Sequence, residues 1–212
     1  MSSKIQVKVC GLTSLADAQF ASVKGADYLG FIFHPQSPRY ISMETFGSIR
    51  NLLPVTSKVA VLVEPEMAAL LALRDAGFDR FQIHFRHDLP LPAIEAWTNA
   101  LGAKNLWLAP KLPPGVEMSK SWMNMSDTFL LDTFDPKLFG GTGRTGDWPK
   151  FKRLHEGRLD KTWILSGGLT PENITEALAG SGAKFVDVNS GVESAPGVKD
   201  HAKIEAFFKA LA

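Results

Sequence analysis

One cysteine, two aspartates and a pair of glycine turns are the residues of this chain whose types and positions could do chemistry. Cys10 closes the β-like run 5–9. A thiolate there could abstract a carbon-bound proton or attack an electrophile, and needs only a modest lowering of its pKa to do so near neutrality. A lone cysteine can also be a small buried hydrophobe. Asp132 stands directly behind Phe129-Leu130-Leu131. It is either a helix cap, with Asp135-Pro136 competing for the turn, or an acid whose apolar surroundings keep it protonated at pH 7. Asp187 lies inside Val186-Asp187-Val188 and could serve structure or a site.

Anion chemistry has its own candidates. Ser166-Gly167-Gly168 and Asn189-Ser190-Gly191 each end an apolar run. Glycine bares backbone N–H groups, which near helix N-termini cradle phosphate; simple turns are the plainer reading. Arg39, in the proline-stiffened His34-Pro35-Gln36-Ser37-Pro38-Arg39-Tyr40, could present its planar fork to a carboxylate or be one more surface arginine. The glycine-rich stretch from Gly140 to Trp148 suits a loop closing over a substrate.

These groups need elements to hold them. Eight β-branched or aromatic runs recur, at 5–9, 28–33, 59–63, 80–85, 105–108, 128–131, 162–165 and 185–188. Several are almost continuously apolar, as strands buried on both faces are. Helical stretches alternate with them. Ser14-Leu15-Ala16-Asp17 has capping-box spacing and Gly25 can end that helix; Thr170-Pro171 reads as an N-cap before a proline at the first helical position; residues 199–211 are amphipathic. Residues 112–127 leave room for only a short fifth helix.

Alternating β and α segments imply a parallel sheet, open or closed. Eight units in 212 residues fit a compact barrel, a fold that needs roughly 200 residues or more. Val9-Cys10-Gly11-Leu12-Thr13 carries no dinucleotide fingerprint, which weakens the open alternative. The expectation is one α/β domain over residues 1–212, a (β/α)8 TIM barrel. Chemistry then belongs at the C-terminal ends of the strands, where Cys10 and Asp132 stand.

Composition removes several function classes. Lys+Arg 23 against Asp+Glu 22 leaves a formal charge of +1, so no basic field for nucleic acid or an anionic membrane is expected. A single cysteine excludes an intrachain disulfide, five scattered histidines form no zinc motif, and a reducing cytoplasm fits. Residues 1–9 carry two lysines and no signal-peptide core, and no run is long enough to span a membrane.

Taken together, these residues resemble the phosphoribosylanthranilate isomerase family of tryptophan biosynthesis. The likeness runs through Lys8-Val9-Cys10-Gly11-Leu12-Thr13, Ser37-Pro38-Arg39-Tyr40, Gln82-Ile83-His84, Leu130-Leu131-Asp132 and Gly140-Gly141-Thr142-Gly143. It continues through Ser166-Gly167-Gly168-Leu169-Thr170-Pro171 and Val186-Asp187-Val188-Asn189-Ser190-Gly191. The resemblance implies a barrel without metal or cofactor that performs an Amadori rearrangement on a small phosphorylated substrate, as a monomer or homodimer. It implies Asp132 as general acid and Cys10 as general base. Arg39 would bind the anthranilate carboxylate, and Gln82, His84 and Asp187 would line the substrate pocket. Gly141, Gly167, Gly168, Asn189, Ser190 and Gly191 would hold phosphate.

The chain departs from the family pattern at Phe85, where glycine is common and a pocket wall could be reshaped. It departs also at Asn189, Glu64, Gly146 and the strand-five end from Leu106 to Lys111. Two rivals stand beside this reading. The histidine-pathway sugar isomerase uses an aspartate base and a two-phosphate substrate, and Cys10 with one phosphate site argues against it. A non-catalytic metabolite binder has little use for both Cys10 and Asp132.

Overall fold

Period-two alternation sorts the strand residues of this chain onto two buried faces. The computed structural model describes residues 4–132 and 147–212. In it the eight expected runs are strands: β1 Gln6–Val9, β2 Tyr28–Ile32, β3 Ser57–Val63, β4 Arg80–Arg86, β5 Leu106–Lys111, β6 Thr128–Leu131, β7 Thr162–Leu165 and β8 Phe185–Val188. Each pairs in parallel with the next, and β8 returns to β1 with Lys8 opposite Asp187, so the sheet closes into a barrel. No helix among the described residues is long and apolar enough to cross a membrane.

Among the described residues seven α-helices surround it: α1 Leu15–Lys24, α2 Met43–Ile49, α3 Met67–Asp75, α4 Leu91–Leu101, α5 Trp148–Gly157, α6 Ile174–Ser181 and α7 His201–Ala210. Between β5 and β6 only the 3-10 turn Lys120–Asn124 forms, as the prolines there lead one to expect. Ser14 caps α1 by accepting the Asp17 N–H at 3.2 Å, and Gly25 ends it with φ 111°, a left-handed angle that suits glycine.

At α6 the expected cap moves. Asn173, not Thr170, precedes the helix, and residues 170–173 fold into a turn of their own. Asn173 Oδ1 accepts the Thr170 N–H at 2.8 Å, while its amide donates to the Gly168 carbonyl at 2.8 Å. An asparagine that bonds its own turn competes with helix extension.

The outward face of the strands, including Val7, Val9, Phe31, Ile83 and Val186, packs beneath the helices. The inward face forms a second, smaller core. Its floor is a ring cluster of Tyr28, Trp107 and Phe185, with centroids 5.0 to 5.5 Å apart. After β8 the chain makes an antiparallel hairpin, β9 Glu193–Ala195 and β10 Val198–Lys199. Thr13 Oγ1 donates to the Gly197 carbonyl at 2.6 Å, which ties this hairpin to the end of β1.

Candidate active site

Because every strand runs the same way, the residues that end them converge on one mouth. A cavity of about 400 Å³ opens there. It gathers Cys10, Arg39, Gln82, His84, Asp132, Gly167, Gly168, Asp187, Asn189 and Ser190, ten of the twelve residues singled out from sequence. Gly141 and Gly146 lie outside the described residues. Gly191 is not on the lining: a Cβ added to it would stand 1.9 Å from the Leu169 carbonyl oxygen, so its glycine serves a close backbone approach.

Cys10 is buried, and two residues earlier on the same inward face stands Lys8, wholly buried. Lys8 Nζ donates to Asp187 Oδ1 at 3.0 Å. A Cβ on Gly30 would sit 2.8 Å from Lys8 Cε and 3.0 Å from Cys10 Sγ, so the two side chains share a space that only glycine leaves open. Burial pushes the Cys10 thiol up, with Lys8 pulling it down and Asp187 adding to the rise. Burial likewise raises Asp187. For Lys8, burial opposes the charge, but Asp187 and Cys10 outweigh it and the ammonium is held firmly protonated. Sequence reasoning quoted Lys8 without giving it a role. The available signal was its position two residues before Cys10, which puts both on one face of a strand.

Arg39 is less free than expected. Its Nε donates to both oxygens of Glu193 at 2.9 and 3.1 Å, and its Nη2 to Oε2 at 2.8 Å. That edge of the fork is therefore occupied, and Nη1 has no acceptor among the described residues. Glu193 also accepts from Lys199 Nζ at 2.9 Å, and Lys199 donates to Asn189 Oδ1 at 2.9 Å. Burial disfavours the Glu193 charge, but Arg39 and Lys199 outweigh it and lower its pKa. The sequence alone gives the hairpin residues Glu193 and Lys199 no role in the site, because their partners are distant along the chain.

On the β4 wall, Gln82 Nε2 and His84 Nε2 lie 2.8 Å apart, and Gln82 Oε1 is buried with no partner. Burial, reinforced by the Lys8, His34 and Lys111 charges, drops the His84 pKa to about 3, so the imidazole is neutral. The expectation that Phe85 reshapes the pocket is corrected here. Phe85 points the other way and packs edge-on against Trp97 and Trp122, because its neighbour His84 takes the inward side. Glu64, where asparagine is common in the family, has φ 40°, the left-handed region that asparagine tolerates best. Its carboxylate accepts the Arg86 N–H at 2.8 Å and does not line the cavity.

The family model described as N-(5'phosphoribosyl)anthranilate (PRA) isomerase matches residues 7–210. The chain belongs to the phosphoribosylanthranilate isomerase family. The Aquifex aeolicus N-(5'-phosphoribosyl)anthranilate isomerase is 38% identical over 207 residues, 97% of each chain. A structure of monomers generated from the dimeric Thermotoga maritima isomerase superposes with a TM-score of 0.73 at 33% identity, covering 98% of both chains. A phosphoribosyl anthranilate isomerase in complex with reduced 1-(o-carboxyphenylamino)-1-deoxyribulose 5-phosphate gives 0.74 at 32%, again over 98% of both.

Family membership leaves the chemistry to be argued from this isomerase's own residues. Its mouth holds a thiol, a carboxyl, an arginine edge and two glycine-marked turns. Gly167 and Gly168 have φ of 95° and 62°, and their N–H groups have no acceptor among the described residues. Both angles lie in the left-handed region that favours glycine, so this turn at the edge of the cavity depends on glycine.

Proposed function

We propose that this chain, as one barrel domain over residues 1–212, converts N-(5-phosphoribosyl)anthranilate to 1-(2-carboxyphenylamino)-1-deoxyribulose 5-phosphate with Asp132 as acid and Cys10 as base. The observation that carries this is the opening of Cys10 and Asp132, from strands three places apart round the ring, into one cavity of about 400 Å³. That volume suits a single small metabolite.

Asp132 gives its proton to the ribose ring oxygen, the C1′–oxygen bond breaks, and the anthranilate nitrogen supplies the electrons of a Schiff base. The Cys10 thiolate then takes the C2′ proton, leaving an enolamine that tautomerises to the ketone. One acid and one base suffice for these steps. Arg39 offers Nη1 and the second hydrogen of Nη2 to the substrate carboxylate, an end-on fork, since its other edge holds Glu193. Gly167, Gly168 and Ser190 offer backbone N–H groups to the phosphate. Gly191 acts behind them by letting its turn lie on Leu169.

Every group in this reading comes from one chain, so the site is whole in a monomer or in each half of a homodimer. The lone, buried, unpaired Cys10 suits a reducing cytoplasm. The test is the fluorescence of the anthranilate substrate after protein is added. Loss of signal with first-order decay supports the reading. Unchanged fluorescence with a folded protein overturns it.

A further inference from the structure

We propose that Lys8 is a positioning residue for the rearrangement: its buried ammonium, anchored by Asp187, is the counter-charge that lets Cys10 exist as a thiolate inside the barrel. This rests on Cys10 being the base. Three observations lead to it. Lys8 is wholly buried, although lysine is almost never so without a partner. Its Nζ donates to Asp187 Oδ1 at 3.0 Å, which fixes where the ammonium sits. Gly30 keeps the space in which Lys8 Cε and Cys10 Sγ meet.

Other groups face this centre. Tyr28 comes from β2, His84 from β4, Asp132 from the end of β6 and Asp187 from β8, with Arg39 on the loop after β2. Lys199, from β10, acts on Cys10 in the same sense as Lys8, but it is committed to Glu193 and Asn189. His84 is neutral and adds no charge. Lys8 is thus the cation that acts most strongly on the thiol, and Asp187 is the carboxylate that works against it.

The experiment uses the fact that the chain has one cysteine, so thiolate absorbance near 240 nm reports Cys10 alone. Whole protein is titrated as wild type, Lys8→Met, Asp187→Asn and the double variant, with a thermal melt beside each. Lys8→Met should raise the thiol midpoint by about one unit or more, a tenfold fall in thiolate at any pH below it. Asp187→Asn should lower the midpoint. The limb of the kcat/KM pH profile that reports Cys10 ionisation should move with the absorbance in each case.

A folded Lys8→Met whose thiol titrates as in the wild type overturns the proposal, even if its melt is lower, because that is a purely structural lysine. If Lys8→Met alone fails to fold because it strands a buried carboxylate, the double variant is compared with Asp187→Asn. A higher midpoint in the double variant supports the role, and equal midpoints overturn it. Cys10→Ser with undiminished turnover would instead remove Cys10 as the base, an outcome the titration does not depend on.

Discussion

Two polar pairs face the inside of this barrel, and they solve the same problem in opposite ways. Lys8 and Asp187, on β1 and β8, are 0% and 5% exposed; Gln82 and His84, on the facing strand β4, are 1% and 9% exposed. In the first pair Lys8 keeps its charge with Asp187 at 3.0 Å, while burial outweighs the ammonium at the Asp187 carboxyl and raises its pKa. At the second, burial, with Lys8, His34 and Lys111 acting in the same sense, lowers the His84 pKa to about 3, and the imidazole gives up its proton. Burial disfavours charge in both places, and of these groups Lys8 is the one whose neighbours outweigh it. In the proposed reaction the charged wall moves protons and the neutral wall binds.

The sharpest way to break this contrast is at the charged wall. Cys10→Ser replaces the proposed base by a hydroxyl and should lower kcat on the order of 10²-fold or more with KM near wild type. Steady-state kinetics decide it, and equal kcat would erase the distinction between the walls.

The neutral wall predicts a stability effect next in size. An unfolded chain protonates histidine below about 6.5, whereas the folded chain keeps His84 neutral to about 3. Between these values the unfolded state binds more protons, so stability falls as pH falls. From pH 7 to 5 that single group should cost on the order of 2 kcal/mol. Urea denaturation at both pH values should show a smaller drop in His84→Gln than in wild type.

Gly30→Ala pushes a methyl between Lys8 and Cys10, at 2.8 and 3.0 Å, while its backbone has no positive φ to strain. We expect about a tenfold loss in kcat/KM, near 1.4 kcal/mol, from displaced catalytic groups. Gly30→Ala with full activity would mean that the space is not needed. The smallest effect belongs to Gln82→Leu, which removes a buried, half-satisfied amide. Its melting temperature should hold or rise, because an unpaired buried acceptor is itself unfavourable, while KM rises a few-fold and kcat stays within about twofold.

Strand positions were legible because parallel strands buried on both faces write themselves as apolar runs, and β6, β7 and β8 have the expected limits. The α1 cap at Ser14 was legible for a local reason too, as its partner is three residues away. The α6 start was misread: Asn173 folds the turn onto Gly168, a contact that spacing rules for caps do not contain. Phe85 was misread as a pocket residue, although the alternation from His84 already assigned it outward.

Local chemistry in the chain was enough to establish the barrel class, the strand ends and the residues brought to one mouth, since each follows from periodicity or from a neighbour a few positions away. Partners far apart along the chain were decided only by barrel closure. Lys8 meets Asp187 because β1 pairs with β8, 179 residues apart. Arg39 meets Glu193 across 154 residues because the hairpin folds back over the β1 and β2 loops. Which buried group keeps its charge depends on those long-range pairings, because in a low-dielectric interior burial opposes the charged form unless opposite charges and hydrogen bonds offset it.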